Sequence, residues 1–188
     1  MNSKRKLILA SNSPRRQQLL KDAGFDFQVK ASDVDESFPT DMPSLEVAKF
    51  LAEKKALALE SIVTDEIIIA ADTIVIIENQ ILGKPQDKDE AMRMLQKLSA
   101  REHIVATGVC LLSKNKKISF TDSTVVTFRS ISEKEIDYYI EHYKPYDKAG
   151  AYGIQEWIGM IGIEKINGSY FNVVGLPIHK VYNELLNF

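Results

Sequence analysis

The stretch Glu66–Asn79 reads EIIIAADTIVIIEN. Between Ile67 and Ile77 every residue is apolar except Asp72 and Thr73. Such a β-branched run, bounded by polar residues, reads as a buried strand. The carboxylate inside it is the anomaly. An unpaired ionised carboxylate in an apolar interior costs several kcal/mol, on the order of the stability of a small domain. Asp72 is therefore paired, binds a metal ion, or surfaces at a cleft. The plainer readings are an aspartate paired to a buried arginine, or a strand bent at its edge.

Upstream of this run, Lys6–Ala10 (KLILA) reads as a short buried strand. Ser13 and Pro14 then open a helix, the serine as N-cap and the proline in the first turn. Gly24 closes it. Phe25–Ala31 reads as a second strand, and Ser32–Met42 (SDVDESFPTDM) as an acidic loop. Pro43–Leu59 reads as a helix with Leu45, Ala48, Leu51, Ala52 and Ala56 on its apolar side.

Downstream, Asn79-Gln80 suits a turn back into Ile81-Leu82. Asp87 with Glu90, and Ser132 with Glu135, have the spacing of capping signals for two further helices. Between them, Glu102–Leu112 and Lys117–Phe128 read as a long hairpin. Asp147–Gln155 (DKAGAYGIQ) is glycine-rich and irregular. Ile158–Ile166 and Ser169–Val174 flank Asn167-Gly168, a strong hairpin signal, and Pro177–Leu186 closes with a helix. Helices alternate with strands early and hairpins dominate late. The expected class is α/β with a mixed sheet, in a single domain over residues 1–188.

Bulk composition excludes several classes. The 188 residues are 45% apolar and 27% charged, ordinary for a globular protein. A net charge of −2 gives no electrostatic footprint for nucleic acid or a membrane surface. No apolar run approaches the roughly 18 residues of a membrane span. Cys110 is the single cysteine, so neither an internal disulfide nor a cysteine-based zinc site can form. A cytoplasmic protein is expected. Gly-x-Gly-x-x-Gly, the Walker A loop and internal repeats are all missing. His103, His142 and His179 lie far apart, without metal-ligand spacing.

Four segments carry chemistry. In Ser11–Arg16 (SNSPRR), a strand runs through a short polar loop into a helix N-terminus. Backbone N–H groups and the helix dipole then point at one spot, with Ser11, Ser13, Arg15 and Arg16 adding donors. That suits phosphate oxygens; the bland reading is a capped surface helix. Asp72 suits Mg²⁺ or an oriented water, and Glu36 in the acidic loop could supply a second oxygen ligand or simply be solvated, as acidic loops usually are. Lys84 in LGKP and Lys55 in AEKKA can each meet a phosphate as a point charge, or simply be solvated. In DKAGAYGIQ the glycines allow close backbone approach, and Gln155 carries the donor and acceptor needed to read a base edge. The alternative there is a tight connection into the next element.

Taken in order, LILASNSPRR, AADT inside an apolar strand, LGKP, DKAGAYGIQ, INGSY and VVGLP resemble the Maf family of nucleotide pyrophosphatases. Each motif is short; their order and spacing are specific, and the resemblance runs from about Leu7 into the C-terminal helix. It implies an α/β fold with a long curved mixed sheet flanked by helices, and two lobes with a cleft. It also implies hydrolysis of a nucleoside triphosphate to the monophosphate and pyrophosphate, with a divalent cation, Mg²⁺ or Mn²⁺.

By position, Asp72 matches the family's catalytic aspartate. Arg15, Thr73 and Gln155 match positions linked to substrate choice. Glu36, Lys55 and Lys84 match further polar positions, with Asp33 and Asp35 as neighbours that compete with Glu36 in the alignment. GAYGIQ resembles the branch that takes dTTP and UTP. A pyrimidine nucleotide is then the expected partner, and a homodimer is plausible by resemblance. Two other classes stand beside this one: a regulatory protein of septum formation and cell division, and a nucleotide-binding module without turnover.

Overall fold

A computed structural model gives the architecture over residues 5–188. Seven strands form one mixed sheet: β1 (Leu7–Leu9), β2 (Phe27–Val29), β3 (Ile67–Ile77), β4 (Gln80–Leu82), β5 (Glu102–Leu112), β6 (Lys117–Phe128) and β7 (Ile163–Asn167). The order is β2-β1-β3-β5-β6-β7, with β4 on β3. β1 runs parallel to both β2 and β3, whereas β4 and β7 pair antiparallel with β3 and β6. The expected α/β class with a mixed sheet is what the chain adopts. Seven helices accompany it: α1 (Pro14–Asp22), α2 (Ser44–Leu57), α3 (Lys88–Leu98), α4 (Glu133–Tyr143), α5 (Trp157–Gly162), α6 (Tyr170–Val174) and α7 (Ile178–Leu186).

The chain divides into two compact units. The first holds the described residues up to Thr73, with Thr107–Asp122 and Gly175–Phe188; the second holds Ile74–Ala106 and Ser123–Val174.

In the first unit, β3 is buried from Ile67 to Asp72. Each fully buried isoleucine there contributes about 2 kcal/mol. Ile68 and Ala70 pack with Ile8 of the neighbouring strand, with Ala10 just after it, and with Ala52, Ala56 and Leu59. α2 lies close because β5 offers Gly108 beneath it: a Cβ there would sit 2.2 Å from the backbone of Ala48 and Lys49.

In the second unit, α3 and α4 start where their caps direct. Asp87 accepts a hydrogen bond from Glu90 N–H at 2.8 Å, and Ser132 with Glu135 forms a reciprocal capping box. Lys144, in the left-handed region at φ 47°, ends α4 just before Pro145.

Three expectations need correction. The β3–β4 turn is centred on Glu78 and Asn79, both at positive φ (51° and 62°), and Gln80 already pairs with Ile77. Such paired positive φ values match strand twist in a two-residue hairpin. In α2, Leu45 is exposed at 46% and Val47 occupies the core instead. Most substantially, Ile158–Ile166 and Ser169–Val174 are not a hairpin. Residues 157–162 and 170–174 are helical, and only Ile163–Asn167 is strand. Gly168 sits at φ 133°, outside the hairpin-turn values, and a Cβ there would meet Thr124 Oγ1 at 2.7 Å. Asn172 is drawn inward to the Val105 carbonyl (2.9 Å) and to Thr124 Oγ1 (3.0 Å). Those long-range bonds favour a helix where the local signal favours a strand.

Candidate functional site

Side chains alternate across a strand, so Asp72 shares the face of Ile68 and Ala70 that packs against α2. On α2, Lys55 follows Leu51 and Ala52 by one helical turn and so points the same way. Its ammonium lies 2.5 Å from Asp72 Oδ1 and 2.8 Å from Glu36 Oε1. The Asp72 and Lys55 side chains are each 12% exposed, and Glu36 is 47% exposed. The puzzle of the sequence is thereby answered: the carboxylate is paired, though to a lysine and not an arginine. Of the neighbouring acids, Asp35 turns to Ser37 and lies 3.6 Å from Lys54. Glu36 is the acid at Lys55.

Thr73, one residue on, takes the other face. Arg16 donates from Nη2 to Thr73 Oγ1 at 3.0 Å, from Nε to the Gly175 carbonyl at 2.8 Å, and from Nη1 to Ser11 Oγ at 3.3 Å. Thr73 Oγ1 lies 2.9 Å from Thr107 Oγ1. Because a guanidinium can only donate, Thr73 accepts from Arg16 and has its own hydrogen to place elsewhere. Burial lowers the Arg16 pKa; the Asp72 charge opposes that shift, Arg15 adds to it, and Glu36 again opposes it. Ser13 precedes α1 but its side chain forms no cap bond; its N–H instead donates to Ser11 Oγ at 3.2 Å.

The first unit thus brings Ser11, Arg16, Glu36, Lys55, Asp72 and Thr73 into two connected groups. Arg15 is half-buried on the first turn of α1. Thr107 and Gly175 carry no expectation from the sequence, and Arg16, expected as a phosphate donor, instead turns to Thr73. A signal for Arg16 existed: it lies three and four residues before the buried Leu19 and Leu20, on their face of the helix. Nothing local points to Thr107 or Gly175.

In the second unit, the LGKP and DKAGAYGIQ segments meet. Gly150 donates its N–H to the Gly83 carbonyl at 3.0 Å. Gly150 holds φ 69° where a Cβ would lie 2.9 Å from Val75 Cγ2, so the approach to β3 needs glycine. Lys84 and Gln155 are both exposed.

Among the described residues, no group of three or more His, Cys, Asp or Glu side chains is placed to hold a metal ion. Asp72 and Glu36 nevertheless converge on one cation, the Lys55 ammonium. Two carboxylates fit Mg²⁺ or Mn²⁺ of the kind that completes its shell with phosphate oxygens and water.

A helix opening beside hydroxyls and an arginine, with a lysine–carboxylate cluster one strand residue away, defines an α/β protein equipped to hold an anion beside a buried acid. A family model described as "Maf-like protein" matches residues 6–188, and the chain belongs to that family. It is 51% identical to the "dTTP/UTP pyrophosphatase" of Flavobacterium psychrophilum over 183 residues, 97% of this chain and 94% of that one. It is 49% identical to proteins of the same name from Parabacteroides distasonis (98% and 97% covered) and Porphyromonas gingivalis (98% and 95%). Among solved structures, the Staphylococcus aureus Ham1 protein superposes with a TM-score of 0.42 at 17% identity, over 66% of this chain and 72% of that one. That likeness is too loose to bear on fold or function.

Proposed function

We propose that this chain hydrolyses dTTP and UTP to the nucleoside monophosphate and pyrophosphate. The observation that carries the reading is a buried aspartate held by a lysine, Asp72 on Lys55, in a chain half-identical along its length to proteins bearing that name.

Water attacks the α-phosphorus in line. A bond forms between that phosphorus and the water oxygen, the bond to the α,β-bridging oxygen breaks, pyrophosphate leaves with that bond's electron pair, and the water proton is released to solvent. Phosphoryl transfer of this kind needs positioning and charge stabilisation more than covalent help. Asp72 accepts a hydrogen bond from the attacking water and orients it. In the first unit Ser11 and Arg15 bind phosphate oxygens, and Lys55 shifts its ammonium from the carboxylates toward them; Lys84, in the second unit, is a further phosphate-binding lysine. Asp72 and Glu36 would hold the divalent cation, Mg²⁺ or Mn²⁺. When bound, such an ion neutralises charge developing on the α-phosphate and the leaving group. Thr73 and Arg15 of the first unit serve the choice of a pyrimidine; Gln155, taken by itself in the second unit, is read as a residue that contacts the base. Among the described residues no helix is long and apolar enough to cross a membrane; a cytoplasmic setting and a homodimer belong with the same proposal.

The test is turnover of the purified chain on UTP, dTTP, CTP, GTP and 7-methyl-GTP, with Mg²⁺ or Mn²⁺ and with chelator. Products are separated so that monophosphate plus pyrophosphate is distinguished from diphosphate plus phosphate. Metal-dependent UMP and dTMP with pyrophosphate support the reading. No turnover on any of the five overturns it.

A further inference from the structure

Glu156 directly follows Gln155, and both of its carboxylate oxygens are held by buried groups. Lys148 Nζ lies 3.0 Å from Oε1, and Tyr139 donates its hydroxyl hydrogen to Oε2. The Lys148 side chain is only 9% exposed and also meets Asp147 at 2.7 Å; Tyr139 is fully buried. The Tyr139 oxygen in turn accepts the Gly153 N–H at 3.1 Å. Burial first, and the Glu156 carboxylate second, push the Tyr139 phenol far above its ordinary pKa, so it stays a donor at any physiological pH.

The backbone of the segment is held by its own hydrogen bonds and by two close approaches at glycine. Glu156 N–H donates to the Gly153 carbonyl at 3.0 Å, closing a four-residue turn with Ile154 and Gln155 at its centre. Ile154 is buried and Gln155 is exposed. Gly159 N–H donates to the Glu156 carbonyl at 3.0 Å. A Cβ at Gly159 would sit 2.1 Å from the Ile154 carbonyl oxygen, and one at Gly153 would sit 2.8 Å from Glu156 Cδ. The turn is therefore closely held, and Gln155 is the one exposed side chain among its four residues.

A buried lysine–carboxylate pair is a costly device, and replacing such pairs with apolar residues often stabilises a fold. Here the pair and a buried phenol converge on a single turn whose outward product is the placement of Gln155. We propose that Lys148, Glu156 and Tyr139 are positioning residues that fix Gln155 for selection of the nucleotide base. The proposal rests on the reading of Gln155 as a base-contacting residue. An amide discriminates between bases only when its donor and acceptor are held in place, because a displacement of about 1 Å already erodes a positioned contact.

The experiment compares Tyr139→Phe, Lys148→Met, Lys148→Arg and Gln155→Ala in the full chain. It reads the ratio of kcat/KM for dTTP to kcat/KM for GTP. It also reads acrylamide quenching of Trp157, the single tryptophan, two residues from Gln155. Circular dichroism establishes that each variant is folded. Tyr139→Phe and Lys148→Met are expected to lower the dTTP preference about ten-fold, in the range that a single misplaced contact produces, and to raise quenching. Lys148→Arg, which restores the charge, is expected to recover part of the ratio. Gln155→Ala is expected to lose the preference with quenching at the wild-type level. If Gln155→Ala loses the preference while folded Tyr139→Phe and Lys148→Met keep it, the brace is overturned and the reading of Gln155 stands. If Gln155→Ala keeps the preference, both fall. Should Lys148→Met not fold, Tyr139→Phe, which loses one hydroxyl, carries the test.

Discussion

Lys55 Nζ lies 2.5 Å from Asp72 Oδ1, with both side chains almost out of solvent. That one relationship accounts for a carboxylate inside an aliphatic strand, and it makes the lysine answerable for stability as well as for chemistry.

Replacing Asp72 with asparagine preserves shape and removes the charge. Turnover of dTTP is predicted to fall by at least about 10³-fold, the scale on which a lost electrostatic contact in a reaction site is felt. The far-ultraviolet circular dichroism spectrum should not change. A folded Asp72→Asn protein with near wild-type rate removes Asp72 from the mechanism.

Lys55→Met leaves the Asp72 carboxylate buried without its cation. A loss of about 3 kcal/mol in urea unfolding is predicted, as for other buried pairs stripped of one partner. The double variant Lys55→Met/Asp72→Asn should recover part of that loss, since no uncompensated charge remains. If the double variant is no more stable than the single, the pair is not what holds the carboxylate in place.

Arg16→Lys keeps the positive charge but not the three-way fork that joins Ser11, Thr73 and Gly175. Activity is predicted to drop about ten-fold or more, with a lower melting temperature. An unchanged melting temperature of Arg16→Lys would refute the structural role assigned to Arg16.

Gly108→Ala places a methyl group 2.2 Å from the α2 backbone, where no flexible side chain can yield. A destabilisation of about 3 kcal/mol is predicted from overpacking, with α2 displaced and Lys55 drawn off Asp72. Denaturant unfolding measures the first effect and dTTP turnover the second.

His103 sits between Phe128 and Tyr152, with Nε2 2.8 Å from the Tyr152 hydroxyl. Burial lowers its pKa from 6.5 to about 4. Between these values the unfolded chain binds a proton that the folded chain refuses, so stability rises with pH across that window. Protonation of the unfolded state should remove roughly 3 kcal/mol between pH 7 and pH 4. His103→Gln is predicted to flatten this part of the profile, measured by urea unfolding at pH 5 and pH 7. An unchanged slope would assign the pH dependence to other groups.

Much of this molecule was legible locally. Asp87 and Ser132 mark helix starts because their side chains bond to backbone within three residues. β3 is legible because nearly every residue is apolar, and β5 because of its β-branched and apolar stretches on either side of Thr107 and Gly108. The segment after Trp157 was not, because Asn172 takes its partners from Val105 and Thr124, far away in the chain. A local Asn-Gly signal cannot register them. In the site, the need to neutralise Asp72 could be read from the strand alone. Lys55 as the neutralising group, and Thr107 and Gly175 around Thr73, follow only from how α2, β5 and the connection before α7 come to lie beside β3. Which of two adjacent arginines turns inward was decided by helix phase, a signal present in the sequence and masked by the repetition of the residue.

The carboxylate of β3 also has a life before folding. Freed from its sheet, the stretch from Ile67 to Ile77 is the kind of β-prone, proline-free apolar segment that stacks with copies of itself into cross-β assemblies. One negative charge in its middle acts as a gatekeeper against that fate. A chain with asparagine at position 72 should therefore refold with lower yield as protein concentration rises, even where its native state is intact, and light scattering during dilution from urea would register the difference. Asp72 is then protective in the nascent chain as well as paired in the mature one, and an inactive variant at this position has to be judged on the fraction that reached the native state.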